Sequence, residues 1–276
     1  MKISPQPPTI EQGGAHPSLS PRGNANLVPG IAYEGRLLAR LSSRSALASD
    51  FQLLMGRAPG TSRGDYRQAV LEENCLARSS TSARAKLYGE LKGRYLLDDQ
   101  HPLFAAFLAE WRLLEDDQGR MQLVYVLFAL NDRTVAVTSC EWLFPHLRRS
   151  ASELRVGDLE SFYRSLGKQG HPEVSEWTVK TLTRVAQHYL ASVRDFGFAT
   201  GGTKKIAVRP SPRPASIRLI LRALRLAGVS QFGIISHGFF QILGISPGEV
   251  VDALSVLNRQ GSLRFRMQAD VIELSF

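Results

Sequence analysis

Residues 246–261 read SPGEVVDALSVLNRQG, and little but a helix fits them. Ser246 at the N-cap, Pro247 at the first helical position and Glu249 at the third form a capping box. Ile245 and Val250 fall where a hydrophobic staple closes over it. Val250, Val251, Leu254 and Leu257 make one apolar stripe at helical period, and Gly261 supplies the residue that ends the helix. The period then changes. Leu263, Phe265 and Met267 alternate with Arg264 and Arg266, and a second β-rich run at 271–276 follows a short polar turn. The spacing predicts a hairpin with Leu263, Phe265 and Met267 on the core and the two arginines outward.

Upstream, residues 215–227 predict a helix ending at Gly228. A short apolar strand is expected over 232–235, then a helix capped by Ser236 and running to about 243, and a turn at Gly244-Ile245. Helix, short strand, helix, tight turn, helix and two-stranded ribbon is the order of a winged helix-turn-helix. The hairpin is then either a wing laid on nucleic acid or an edge ribbon that keeps its arginines in water.

The rest of the chain has helical period. Residues 1–30 hold six prolines and four glycines with few bulky apolar side chains, which predicts a disordered tail. Helices are expected over 34–41, 45–57, 66–76, 80–97, 101–114, 120–131, 159–166 and 177–196, with breaks at 59–64 and at 199–205. Leu87, Leu91 and Tyr95 share a face of the 80–97 helix. Residues 134–149 are ambiguous, because TVAV could begin a strand. No repeat of 20–50 residues appears. The fold expected is mainly α: a helical N-terminal domain over 31–200, a basic linker with a short strand over 201–214, and the winged helix-turn-helix domain over 215–276.

With 276 residues and 43% hydrophobic content, the chain can build a real core. Its two cysteines, Cys75 and Cys140, make no CxxC pair and no disulfide framework, which fits a reducing cytoplasm. The longest apolar run, LVYVLFAL at 123–130, is far short of the roughly 20 residues that span a bilayer. A cytoplasmic protein with no membrane partner is expected.

The formal charge of +9 favours an acidic partner. Between Asp195 and Glu249 there is no acidic residue, and the span holds Lys204, Lys205, Arg209, Arg213, Arg218, Arg222 and Arg225. Arg218, Arg222 and Arg225 share a helix face, as phosphate donors in a row must. The alternative is a solvated face and a flexible basic linker. A second basic stretch, RSSTSARAKLYGELKGR at 78–94, offers Arg78, Ser79, Arg84 and Lys86 at a helix start; it also reads as an ordinary capped surface helix. On the helix at 247–259 the exposed face is expected to be Gly248, Asp252, Ser255 and Arg259, with Glu249 nearby. Two carboxylates there would repel phosphates and argue against base reading. The nucleic-acid candidates are therefore all of these cations, Ser79, Arg259, Arg264 and Arg266.

Enzyme signatures are weak. GGTKK lacks the spacing of a phosphate-cradling P-loop, and the six histidines form no HExxH or Cys/His metal pattern. No catalytic residue, cofactor or metal is expected.

Glu73-Asn74-Cys75-Leu76-Ala77-Arg78-Ser79, followed by Ser82 and Arg84, resembles the motif of the BrxA family, a small component of bacterial BREX phage-defence systems. An apolar helix near 122–130, an acidic-aromatic segment at 158–163 and a Trp177–Leu182 stretch follow in similar order. Cys75 stands where the family often has a larger apolar residue. The resemblance covers about 31–276. It implies a helical, non-enzymatic accessory protein that binds double-stranded DNA, with BREX proteins such as the methyltransferase and the ATPase as partners. Two alternatives stay open: a protein-docking scaffold within the defence complex, and an RNA-binding, antitermination-like protein.

Overall fold

The computed structural model describes residues 36–58, 62–268 and 271–276. The expected tail at 1–30 lies outside them, as do residues 59–61 of the expected break. Helices dominate: α1 (Ala48–Arg57), α2 (Arg63–Leu71), α3 (Thr81–Tyr95), α4 (Pro102–Trp111), α5 (Asp117–Asn131), α6 (Arg133–Val137) and α7 (Phe144–Leu147) come first. Strand β1 (Glu153–Leu154) precedes α8 (Val156–Lys168), α9 (Pro172–Ser175) and α10 (Val179–Asp195). Strands β2 (Ala199–Thr200) and β3 (Lys205–Ala207) lead into α11 (Pro214–Leu226), α12 (Gln231–Ile235), α13 (Pro247–Arg259) and the hairpin β4 (Arg264–Gln268) and β5 (Val271–Ser275).

Helix α5 is the centre. Its residues from Gln122 to Asn131 are buried all round, as a helix hydrophobic on every face must be. Asp116 starts it by accepting from the Gly119 N–H at 2.7 Å. Helices α1, α3, α4, α6 and α11 pack around it. Tyr95 and Phe51 stack at 4.1 Å between ring centroids, and Phe107 and Phe128 extend the aromatic cluster. Leu87, Leu91 and Tyr95 are all buried, so the face expected for α3 is the face it uses. The apolar core is continuous from Leu37 to Leu274.

Several local expectations are corrected. The described part of 34–41 holds no α-helix; Arg40–Ser42 is a 3-10 turn. Helix α2 stops at Leu71, short of 76, because the chain turns through left-handed Asn74 and Ala77. TVAV is helical, not extended. Asp132 accepts from the Thr134 and Val135 N–H groups at 3.0 and 3.3 Å and so caps α6. The Thr138 and Ser139 hydroxyls then donate to the carbonyls of Thr134 and Val135. That competition for the i−4 acceptors accompanies a π-helical turn at Thr138–Leu143. The strand near 206 exists, and it is the middle of an antiparallel sheet ordered β1-β3-β2. Gly201 makes the β2–β3 turn possible: its φ is +91°, and a Cβ there would lie 2.1 Å from the Lys204 carbonyl oxygen.

In the C-terminal third, 232–235 is helical, since the Ser230 hydroxyl caps α12 by accepting from Gly233. His237, not Ser236, caps the next segment, and Gly238–Leu243 is a 3-10 helix. Helix α13 starts at the expected capping box. The Ser246 N–H and hydroxyl both donate to Glu249 Oε2 at 2.8 Å. Ile245 and Val250 are buried, and Gly261 has a φ of +69°. The hairpin pairs Phe265 with Leu274 and Arg266 with Glu273. Leu263 and Phe265 are buried as expected, but Met267 is 49% exposed because its end of the ribbon projects beyond the core.

Candidate nucleic-acid interface

The candidate cations fall into two groups: those held by the protein itself and those left to solvent. Arg218 of α11 lies against Glu110 of α4, a carboxylate with no exposed surface. Its Nε donates at 2.9 Å and its Nη2 at 2.6 Å to Glu110 Oε2, and Arg222 Nη2 approaches Oε1 at 3.3 Å. The row of arginines on α11 therefore faces inward at two of its three positions. It bolts α11 onto α4 around one buried acid. The third, Arg225, is exposed and lies 5.7 Å over the Phe276 ring.

The linker cations have partners too. Arg213 Nη2 donates to Gln118 Oε1 at 2.8 Å, and its backbone N–H donates to Gln122 Oε1 at 2.6 Å. Lys204 lies 3.8 Å from Glu153, and Lys205 donates to the Gly202 carbonyl. Arg209 reaches Glu249 Oε2 at 3.2 Å, where Arg148 also donates to both carboxylate oxygens at 2.7 and 2.8 Å. One of the two acids expected to repel phosphates near α13 is thus neutralised twice over. Asp252 remains exposed.

The motif at 73–84 is a structural knot. Asn74 closes its loop, accepting from the Arg78 N–H at 2.8 Å and donating to the Arg78 carbonyl at 3.0 Å. Leu76 is buried, and the Arg78 guanidinium pairs with Asp50 of α1. Arg84 Nη1 donates to the Leu71 carbonyl at 2.6 Å, satisfying an open acceptor at the end of α2. Ser79 and Lys86 are exposed.

Like Arg225 and Lys86, the cations Arg259, at the end of α13, and Arg264 and Arg266, on the outer face of β4, are left to solvent. All three are exposed, and none makes an ion pair or side-chain hydrogen bond among the described residues. Arg264 and Arg266 project from one side of the ribbon about 7 Å apart, two residues along a strand. Lys180 and Arg184, at i and i+4 on α10, are likewise exposed and were not among the candidates; their spacing alone was the available signal.

Titration of this region has a definite sign. Partial burial works against ionised Glu249, but the Ser246 N–H and hydroxyl and the Arg148 and Arg209 charges outweigh it and hold its pKa down to about 2. Burial pushes the His237 imidazole, whose Nδ1 accepts from the Phe239 N–H, down to about 4. Both folded values lie below the ordinary ones of 4.5 and 6.5. Both groups therefore contribute stability in full above their ordinary pKa and lose it as pH falls through the folded value. Urea midpoints should decline in two stages, from pH 6.5 toward 4 and from pH 4.5 toward 2. H237N should flatten part of the first stage, since burial lowers His101 and His146 as well, and E249Q part of the second, since hydrogen bonds and nearby charges also hold Glu153 and Glu173 below the ordinary carboxylate value. A midpoint independent of pH between 7 and 3 would contradict this account.

Among the described residues no cluster of His, Cys, Asp and Glu could hold a metal ion. No single described helix is long and apolar enough to cross a membrane.

The family model for BrxA matches residues 38–223, about two thirds of the chain. The chain belongs to the BrxA family. BrxA membership makes it a BREX-associated protein. The BrxA match takes in the 73–84 knot, the α5 core and Glu110, and it ends inside α11, after Arg222. A search of curated proteins returns no match.

Proposed function

We propose that this BrxA-family protein is a non-enzymatic accessory protein of a BREX phage-defence system that binds double-stranded DNA in the cytoplasm, beside BREX partners such as the methyltransferase and the ATPase. In this reading α11 through β5 act as a winged helix-turn-helix with the β4–β5 ribbon as its wing. The protein grips phosphates and reads few base edges. The observation that carries the reading is the outward set of Arg259, Arg264 and Arg266, unpaired among the described residues, next to a helix whose first-turn acid is already neutralised. Unpaired surface guanidinium groups bind phosphate without first giving up a partner, whereas Arg218, Arg222 and Arg209 would have to leave a carboxylate. The net charge of +9 adds a long-range attraction.

The test is a mobility shift with duplex DNA over a salt series. Each phosphate contact contributes about one unit to the salt slope. The triple variant R259Q/R264Q/R266Q should therefore bind more weakly at low salt and show a slope shallower by about 3 units. Unchanged affinity and slope in the triple variant would remove these arginines from the interface. Stronger competition by structured RNA than by duplex DNA would turn the reading toward RNA.

A further inference from the structure

A groove of about 320 Å³ runs between α4 and the C-terminal end of α11, lined by Pro102, Ala106, Arg222, Arg225, Leu226 and Phe276. We propose that it is a docking slot for a partner protein, taking one bulky apolar side chain flanked by carboxylates. Its walls are apolar: Leu226 is 45% exposed, and Ala106 leaves the floor open where a larger residue would fill it. Its rim is cationic. Arg225 is exposed and, among the described residues, makes no ion pair, only the contact with the Phe276 ring. Arg222 shows a third of its side chain, with Nη2 on Glu110. Among the described residues no Asp or Glu side chain lines the groove, and Glu110 on the same helix as Ala106 is held by Arg218.

That combination selects the occupant by charge and shape. A phosphate backbone could meet the arginines but would leave Leu226, Ala106 and Phe276 uncovered. A basic peptide is repelled. An apolar side chain buries the walls while neighbouring Asp or Glu residues meet Arg225 first, with Arg222 adding its charge while it stays on Glu110, the arrangement of an anchored hot spot with a polar rim. The volume is at the small end of ligand sites and suits one or two side chains. None of Arg259, Arg264 and Arg266 lines the slot, although Arg264 pairs across the ribbon with Ser275, next to Phe276, so the two readings rest on different side chains of adjoining surface.

The experiment is selection of a phage-displayed library of twelve-residue peptides on the full chain, with counter-selection on A106W, which fills the floor. The expected consensus is a Leu, Phe or Trp between acidic residues. A labelled peptide of that consensus should bind wild type, measured by fluorescence anisotropy. It should bind at least tenfold more weakly to R225E and to L226D, two exposed positions whose circular dichroism and melting should match wild type. A106W should abolish peptide binding and leave the DNA mobility shift unaltered. Failure to enrich any sequence, or a consensus without acids, would overturn the proposal. So would binding indifferent to both R225E and A106W, or displacement of the peptide by single-stranded oligonucleotide at lower concentration than by the unlabelled peptide.

Discussion

Replacing Glu110 by alanine should destabilise the protein by about 3–5 kcal/mol, the usual cost of leaving a buried charge without its partner. Two guanidinium groups would be stranded, Arg218 almost entirely inside the protein and Arg222 partly so. For a chain of this size the melting temperature should fall by roughly 10 °C. Urea unfolding and calorimetry read both quantities. The same physics predicts a rescue. E110L/R218M/R222M removes all three charges together and fills the space with apolar side chains, so it should recover most of the loss. A loss under 1 kcal/mol in E110A would mean that the carboxylate is not the fastening between α4 and α11. The prediction also bears on nucleic-acid tests. Charge reversal at Arg218 or Arg222 unseats a helix, so weaker DNA binding in such a variant would report unfolding as readily as a lost phosphate contact.

Tyr95→Ala should cost a similar amount, about 3–5 kcal/mol, by opening a cavity in the aromatic part of the core. The Tyr95 ring is fully buried, stacks on Phe51 at 4.1 Å and meets Phe128 at 5.7 Å. Its hydroxyl donates to the Ala46 carbonyl at 2.7 Å. Tyr95→Phe keeps the packing and removes only that bond, so it should cost about 1 kcal/mol. Chemical denaturation of the two variants side by side separates the contributions. Equal losses would show that the hydrogen bond, not the ring, holds α3 against the segment before α1.

The parts of the fold legible in the sequence were those set by neighbours in the chain. Ser246 and Glu249 lie three residues apart, Leu87 and Leu91 four apart, and Gly261 needs only its own backbone freedom; each kept its expected role. The errors came where a distant group or a small side chain decided the outcome. TVAV is rich in β-branched residues and looked extended, but the Asp132 carboxylate two residues before it captures two N–H groups and starts a helix. Residues 232–235 looked like a strand, but Ser230 caps a helix in front of them. Met267 keeps the alternation of the ribbon and still meets water, because alternation says which side a residue faces and not whether anything lies there.

The candidate interface was less legible than the fold, for an electrostatic reason. A run of seven cations without an acid from 196 to 248 suggested an open basic surface. Glu110 is 108 residues from Arg218, and Arg148 is 101 from Glu249, so nothing local showed that these charges meet. One clue was available. Glu110 is the lone acid in PLFAAFLAEW, and an acid on an otherwise apolar helix needs a cation. Arg264 and Arg266 were correctly read as outward because a strand's period of two is settled by the strand itself.

The region that matches the family model stops three residues before the end of α11, partway along a continuous helix and not at a loop. A helix is a stiff rod with a rise of 1.5 Å per residue, and this one is anchored upstream by Arg218 and Arg222. Whatever follows it inherits a fixed heading from the matched body. α11 thus serves as a mounting shaft: α12, α13 and the ribbon are carried at an angle set by the grip of one buried acid.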